Sequence, residues 1–244
     1  MIKLILVLLT VLLYFILSIV LIPLTLLVRL INRKAGDVMA YYLVGCAFRA
    51  IRLITGVKVD VKGLENVPKD QPVLFVGNHR SYFDIILNYT ILPPRMGFVA
   101  KVELKKVPFL NWWMMLMNCL FLDRSDPREG LKMINAGVEK IKNGISVFIF
   151  PEGTRAKSDD AMADFKAGSL KIAEKSGAMI VPVAINNTSS VFEDHFPKIT
   201  KGHAIIEYGK PVPTEGISKE EKKALAKTLH DQIQAMVQEN KKIL

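Results

Sequence analysis

Residues 73–84 read Val-Leu-Phe-Val-Gly-Asn-His-Arg-Ser-Tyr-Phe-Asp, and this stretch decides the fold. Its four leading apolar residues predict a short buried strand. The polar residues that follow then stand where a sheet opens into a loop or helix, the usual place for chemistry in α/β proteins. Residues 146–155, Ser-Val-Phe-Ile-Phe-Pro-Glu-Gly-Thr-Arg, repeat the pattern. The sequence therefore predicts a functional site built at two strand ends.

The first stretch supplies a base, His79, and a carboxylate, Asp84. Residues five apart point roughly 140° away from each other on an ideal helix, so these two meet only if His79 lies on the loop before it. Ser81 and Asp84 also have capping-box spacing, which offers Asp84 a purely structural role. The pattern alone leaves open whether His79 is catalytic.

Strand and helix patterns alternate after residue 56, which predicts an α/β fold. We expect a single domain over residues 56–244, a mixed sheet flanked by helices, preceded by an N-terminal membrane-binding helical segment over residues 1–55. The predicted strands are 57–62, 73–76, 96–100, 120–122, 145–150, 179–185 and 204–208, and the predicted helices are 82–90, 127–143 and 218 onward. Pro182 would cost a ladder hydrogen bond, so its strand is expected at an edge or at a bulge.

The N-terminal segment carries no charged residue over the 25 residues from Leu4 to Val28. As a helix it would be about 37 Å long, against roughly 30 Å of bilayer hydrocarbon. A secretory signal would be shorter and would end at a small-residue cleavage site. Pro23 is expected to kink or end this helix near Ile22, and a second, less apolar helix is expected over residues 37–54.

Two membrane arrangements stay open, one spanning helix or a helical pair within one leaflet. Arg29, Arg33 and Lys34 outnumber Lys3, so a spanning helix would leave the rest of the chain on the cytoplasmic face of the cell membrane. The formal charge of +10 suits anionic membrane lipid. It does not indicate nucleic acid, since the chain has no aromatic-rich RNA motif and no arginine-rich arm.

The cysteines and the remaining histidines indicate no metal or redox chemistry. Cys46 and Cys119 stand in apolar contexts, and we expect both to be reduced core residues. His195, His203 and His230 form no pair with metal-ligand spacing, so we expect no metal site.

Four blocks of this chain resemble, in order, those of the glycerolipid acyltransferases, and most of all those of the bacterial 1-acyl-sn-glycerol-3-phosphate acyltransferases. The blocks are residues 78–84, 121–124, 150–155 and 181–183, within a region that covers most of residues 57–215. One departure is visible: the family commonly has a glycine shortly before the second block, where this chain has Asn118-Cys119.

The resemblance implies transfer of an acyl chain from a thioester, acyl-CoA or acyl-acyl-carrier protein, to the hydroxyl of lysophosphatidic acid. No resident cofactor is expected. In such a reaction His79 would accept the hydroxyl proton, and Asp84 would fix the imidazole tautomer and stabilise the imidazolium. A serine or cysteine nucleophile is unnecessary, because the acceptor oxygen itself attacks.

The acceptor's phosphate needs cations, and the motif regions offer Arg155, Arg124 and Lys101, in that order of preference. The resemblance also implies that Glu152, Gly153 and Thr154 belong to the substrate-binding site. Glu152 either binds acceptor hydroxyls or shapes the turn. The amide region of Gly153 is a candidate for binding the thioester oxyanion.

Several alternatives stay open at this point. Residues 109–117, with two tryptophans and three methionines, are either a core helix or an apolar rim that meets the membrane interface and admits an acyl chain. Within the same chemistry, the acceptor is another lysolipid or glycerol 3-phosphate. From a different class, the chain is a membrane-anchored metal-dependent phosphoester hydrolase using His79, Asp84 and Glu152. A non-catalytic lipid-binding protein is the fourth reading.

Overall fold

The predicted strands form one sheet in the computed structural model, which describes residues 1–156 and 162–244. Within these residues the sheet has seven strands, in the order β1-β7-β6-β2-β5-β3-β4. Their bounds are β1 Lys58–Lys62, β2 Leu74–Gly77, β3 Met96–Lys101, β4 Leu120–Leu122, β5 Ser146–Ile149, β6 Ile180–Asn186 and β7 His203–Tyr208. Only the β6–β7 pair is antiparallel, so β1 and β7 run against the other five strands. Each predicted strand is confirmed to within one or two residues at its ends.

The helices cover both faces of the sheet. Their bounds are α1 Ile2–Ile31, α2 Arg33–Thr55, α3 Tyr82–Ile91, α4 Leu110–Leu116, α5 Pro127–Lys142, α6 Lys171–Ser176 and α7 Lys219–Lys241. The helix expected from residue 37 begins at Arg33 instead, because the side chain of Asn32 caps it by accepting a hydrogen bond from the Ala35 amide at 3.0 Å. The predicted capping box at Ser218 and Glu221 is confirmed.

Two apolar cores result from the alternation of side chains along the strands. Phe75 and Phe148 point to one face, where they pack with α2, α3 and α4. Leu74 and Val147 point to the other, where they pack with α5, α6 and α7. The apolar stripe of α7 faces this second core, as its spacing predicts, with Leu229 and its neighbours buried.

Pro182 lies in the interior of the sheet and beside a bulge, so the bulge alternative was the right one. The β6–β7 pairing gives Val183 opposite Tyr208, whereas the isolated bridge gives Ile180 opposite Val212. Three residues, 209–211, therefore lie opposite two, 181–182, and the ladder is interrupted where the proline lacks an N–H.

The N-terminal helices α1 and α2 form an antiparallel hairpin against the first core. The ammonium of Lys3 donates to the carbonyl of Thr55 at 2.6 Å, while Arg29 meets Asp37 at 3.0 Å near the turn. Both helices are long and apolar enough to enter a membrane, with mean hydropathies of 3.2 and 1.4. One side of α1 exposes a series of leucine and isoleucine side chains, which supports membrane association. The predicted fold class, a mixed α/β sheet behind an apolar helical segment, is confirmed.

Two expectations for the hairpin were wrong, an end of α1 at Pro23 and a buried Cys46; a kink at Pro23 stays a prediction. Helix α1 does not end near Ile22 but continues through Pro23 to Ile31. Proline removes a single backbone hydrogen bond, and the surrounding apolar side chains favour a helix over exposed peptide groups. Cys46 is not a core residue, because its side chain is exposed on α2.

Candidate active site

His79 and Asp84 meet at the carboxyl end of β2, in the one arrangement that their spacing allows. His79 lies on the loop, Asp84 lies in the first turn of α3, and the imidazole Nδ1 is 2.7 Å from the carboxylate Oδ2. The same Oδ2 accepts the amides of Arg80 and Ser81 at 2.8 and 2.9 Å. The hydroxyl of Thr188 donates to Oδ1 at 2.5 Å. Asp84 is fully buried, so it both caps α3 and orients the imidazole.

The imidazole of His79 is fixed on its other sides as well. Its ring stacks on Phe150 with centroids 4.1 Å apart and an interplanar angle of 11°. The backbone carbonyl of His79 accepts a hydrogen bond from the Ala156 amide at 2.7 Å. Because Nδ1 is committed to Asp84 and the residue lines a cavity, Nε2 is the nitrogen left to a substrate.

Glu152 links the motif of residues 150–155 to that of residues 78–84 through hydrogen bonds. Its Oε1 accepts the amide of His79 at 2.8 Å, and its Oε2 accepts the amide of Ala163 at 3.0 Å. The side chain is only 4% exposed, and this burial raises the pKa of its carboxyl. Both oxygens are engaged by backbone, so this geometry matches the turn-shaping role and not binding of acceptor hydroxyls.

Gly153 makes the turn after β5 with φ +77°, a left-handed conformation that side chains rarely adopt. A Cβ built here would lie 3.0 Å from Nζ of Lys166 and 3.7 Å from Nη1 of Arg124. The glycine thus lets two cations approach the turn. Its amide donates to the carbonyl of Phe150 at 3.1 Å, so this N–H is occupied and is a poor candidate for the oxyanion.

Arg155 is held over α3. Its guanidinium lies over the ring of Tyr82, 4.4 Å from the centroid, and its Nη1 is 3.4 Å from Oε1 of Glu193. Glu193 also accepts the Tyr82 amide at 2.8 Å and the Ser81 hydroxyl at 2.7 Å. Arg155 is 40% exposed and lines the same cavity as His79 and Thr154.

Lys101 lies at the rim rather than beside the base. Its ammonium pairs with Glu103 at 2.7 Å and is 62% exposed. Arg124, from the segment after β4, lines the cavity together with Lys101. The three predicted phosphate-binding cations therefore all line the same cavity as the imidazole.

The cavity itself measures about 900 Å³ and changes character along its length. One end holds His79 with the cations, and the other is apolar. The apolar end is lined by residues of α2, α3, α4 and the segment before β4, among them Val44, Phe48, Tyr89, Met117 and Cys119. The thiol of Cys119 is partly buried there, and burial raises its pKa, which makes it a poor nucleophile.

Residues 109–117 include both buried and exposed apolar side chains; that the exposed ones meet a membrane and admit an acyl chain stays a prediction. Trp113 is 3% exposed, and its indole N–H donates to the hydroxyl of Ser18 on α1 at 2.7 Å. Trp112 and Met115 are 44% and 46% exposed and face outward. Helix α4 therefore both joins the hairpin to the domain and presents an apolar rim.

Sequence reasoning missed three residues of this site: Thr188, Glu193 and Lys166. Residues 165–168, Phe-Lys-Ala-Gly, also resemble a segment of the same acyltransferases, so the sequence carried a signal for Lys166. Thr188 is 104 residues from Asp84, and Glu193 is 112 residues from Ser81 and 38 from Arg155, and no local spacing predicts such contacts. Among residues 1–156 and 162–244, no group of three His, Cys, Asp or Glu side chains is arranged to hold a metal ion.

Comparison with known proteins identifies chains similar to this one. The acyltransferase family model matches residues 58–186. A Saccharomyces cerevisiae protein named 1-acyl-sn-glycerol-3-phosphate acyltransferase is 36% identical over 77% of this chain and 62% of its own length. A Borreliella burgdorferi protein of the same name is 33% identical over 74% of this chain and 72% of its own.

A solved structure shares the whole fold. The crystal structure of the 1-acyl-sn-glycerophosphate (LPA) acyltransferase PlsC from Thermotoga maritima has a TM-score of 0.75 at 30% identity, covering 96% of this chain and 95% of that one. The chain spans less than two thirds of the yeast relative and 42% of a chloroplastic relative from Arabidopsis thaliana. From the family match, the relatives and the shared fold, we conclude that this chain belongs to the acyltransferase family.

Proposed function

We propose that this chain transfers an acyl chain from an acyl thioester to the sn-2 hydroxyl of 1-acyl-sn-glycerol 3-phosphate, giving phosphatidic acid. One observation carries the proposal: the His79–Asp84 pair stands at the polar end of a cavity whose other end is apolar. Arg124, Arg155 and Lys166 surround that polar end. Such a cavity offers an acyl chain an apolar lining and a phosphate a cationic one. The relatives' names point to the same reaction.

The mechanism follows from the free nitrogen of His79. Nε2 takes the proton of the acceptor hydroxyl as its oxygen attacks the thioester carbonyl. The buried carboxylate of Asp84 stabilises the imidazolium that forms. When the tetrahedral intermediate collapses, the C–S bond breaks and the imidazolium returns its proton to the departing thiolate. The acceptor oxygen is the nucleophile, so no acyl-enzyme forms.

We assign the acceptor's phosphate to Arg155, Arg124 and Lys166. Guanidinium groups bind phosphate through paired charge-assisted hydrogen bonds. Lys101, farther out and paired with Glu103, is better placed to meet the donor's phosphates. Both acyl-CoA and an acidic acyl-carrier protein fit a basic rim, and both remain candidate donors. No resident cofactor is part of the proposal.

The site is proposed to face the cytoplasm. Lys3, Arg29, Arg33 and Lys34 stand at the two ends of α1, and cations that flank a membrane segment favour the cytoplasmic side. Anionic lipid is the proposed membrane partner, since the chain carries +10.

The test is thiol release from an acyl thioester by the purified chain, with and without lysophosphatidic acid. We expect release that depends on the acceptor and that falls by at least about 10³-fold in His79→Ala. His203→Ala is the matched control, because His203 also pairs with an aspartate, Asp60, but on the sheet surface. Release without acceptor would identify a thioesterase instead. Phosphate release that a chelator abolishes would identify the metal-dependent hydrolase.

A further inference from the structure

Three cationic side chains converge at the turn of the N-terminal hairpin, far from His79. Arg29 comes from α1, Arg95 precedes β3, and Lys140 comes from α5. Arg29 and Arg95 lie 3.0 and 3.8 Å from the carboxylate of Asp37. We call Arg29, Asp37, Arg95, Asn118 and Lys140 the hairpin-turn cluster.

The cluster is not electrically balanced by its own residues. Asp37 is its single carboxylate, and it is fully buried. Lys140 Nζ and Arg29 Nη2 share one neutral acceptor, the side-chain oxygen of Asn118, at 2.7 and 3.3 Å. These distances keep the two charged groups within 6.0 Å of each other. Burial lowers the pKa of Lys140, and the positive charges of Arg29 and Arg33 lower it further.

Asn118 is the residue that brings these cations together, because Lys140 and Arg29 both donate to its side-chain oxygen. Its φ is +60° and it is 1% exposed. A left-handed backbone favours glycine, and asparagine is among the few residues that tolerate it. With asparagine at this point, the chain adds a buried carbonyl that holds Arg29 and Lys140 together.

We propose that the hairpin-turn cluster binds the phosphate of an anionic membrane phospholipid. Leu30 and Ile31, next to Arg29, are 84% and 82% exposed, so apolar surface meets the cluster where head groups would lie beside a membrane-associated helix. Arg29 and Arg95 are 21% and 20% exposed, which leaves the cluster reachable. Among the described residues, Lys140 uses one of its three donors. A bound phosphate supplies the missing negative charge.

This site is separate from the acceptor site. The carbonyl of Arg95 accepts the Ser146 amide at 3.0 Å at the start of β5, whereas Arg155 follows the end of that strand, so the two sites lie at opposite edges of the sheet. The inference rests on the membrane association of the hairpin and not on the proposed reaction, so it stands or falls independently of that reaction.

Lipid binding to the full chain in mild detergent tests the proposal by native mass spectrometry. We expect phosphatidylglycerol to bind more tightly than phosphatidylcholine, with a first binding event that weakens roughly tenfold in Lys140→Gln, the loss expected from one charge-assisted contact. Asn118→Gly is the second variant, and it should weaken binding similarly while keeping a residue suited to the left-handed backbone. The matched control is Lys142→Gln, on the same helix and 59% exposed.

Several outcomes would overturn the proposal. One is equal binding of the two lipids to the unchanged chain. Another is unchanged phosphatidylglycerol binding in both folded variants, or an equal loss in Lys142→Gln. Competition between the lipid and inorganic phosphate distinguishes a site for a lipid head group from a site for free phosphate. Displacement of the lipid by inorganic phosphate at similar concentration would assign the cluster to free phosphate and not to a head group. Thermal unfolding of each variant identifies any that does not fold, and the lipid comparison in the unchanged chain needs no variant.

Discussion

Asp84 accepts four hydrogen bonds, from the imidazole of His79, two backbone amides and the hydroxyl of Thr188. Replacement of Asp84 by asparagine removes the negative charge but keeps the size and shape of the side chain. The amide oxygen can take the place of Oδ2, while the amide NH₂ donates to the Thr188 hydroxyl. We therefore expect Asp84→Asn to fold but to lose about 10³-fold or more in kcat, since the imidazolium loses its counter-charge. Steady-state kinetics and thermal unfolding measure the two effects.

Asp60→Asn is the control for this substitution. Asp60 also contacts a histidine, with its carboxylate 2.8 Å from Nε2 of His203, but both side chains are largely exposed. An exposed pair contributes little, so kcat and stability should stay within error. If Asp84→Asn retained near-normal kcat, the carboxylate would be a helix cap only.

Glu152 should make the stability of the fold depend on pH, because burial raises the pKa of its carboxyl above the ordinary 4.5. The folded state then binds the proton more tightly than the unfolded chain does. Its contribution to the free energy of unfolding is therefore largest at low pH and is lost as pH rises through the raised pKa. Glu152→Gln does not titrate, so the stability advantage of the unchanged chain over this variant should shrink as pH rises.

Denaturant unfolding between about pH 5 and pH 7 measures that difference. Glutamine has one acceptor oxygen for the two amides of His79 and Ala163, so the variant should also be less stable by about 1–3 kcal/mol. Glu139→Gln, on the exposed end of α5, is the control. A difference that is flat or grows with pH would contradict the buried-carboxylate explanation.

At the scale of elements, the segment after β6 holds the start of α3 in place. Thr188 holds Asp84, and Glu193 contacts Ser81, Tyr82 and Arg155. The same segment therefore fixes both the base's partner and the proposed phosphate ligand. An element with no reacting group of its own determines the geometry of the site.

Glu193→Ala tests this support. Arg155 would lose its carboxylate partner and part of its fixed position over Tyr82, so we expect the KM for lysophosphatidic acid to rise roughly tenfold while kcat changes by less than about threefold. Lys198→Ala, an exposed change in the same segment, should alter neither constant. A lower KM would mean that Glu193 competes with the phosphate for Arg155 instead of positioning it.

Local patterns predicted the elements but not these contacts. Apolar runs identified the strands, and the break to polar residues identified both strand ends, because burial and chain direction are local properties of the sequence. That His79 lies close to Glu152 follows from β2 and β5 being neighbours in the sheet. The support from Glu193 depends on where a loop returns after β6, which no periodicity records. The local rule for proline likewise predicted an end of α1 at Pro23. The helix continues because the apolar side chains around Pro23 stabilise it.

At the scale of the whole molecule, the hairpin is a wall of the cavity as well as a membrane element. Val44 and Phe48 of α2 line the apolar end, and Trp113 of α4 is bonded to Ser18 of α1. The apolar face of α1 and the exposed Trp112 lie on this same flank. Two helices that line the apolar end of the cavity, α2 and α4, therefore also hold the membrane-facing helix α1.

This arrangement favours one of the two membrane topologies. Both ends of α1 lie beside the catalytic domain: the ammonium of Lys3 donates to the carbonyl of Thr55, just before β1, and Arg29 Nη2 donates to the side-chain oxygen of Asn118, just before β4. A helix about 45 Å long with both ends against one domain does not cross a bilayer to the far side. We predict that the hairpin lies within one leaflet, so that both ends of α1 are reached from the same side.

Single cysteines introduced by Ile2→Cys and Lys34→Cys, each in a Cys46→Ser, Cys119→Ser background, report the two ends. In sealed inverted vesicles a membrane-impermeant maleimide should label both from the outside, where the catalytic domain is proposed to face. Labelling of one end in inverted vesicles and of the other only in right-side-out vesicles would establish a spanning helix and separate α1 from the packing seen here.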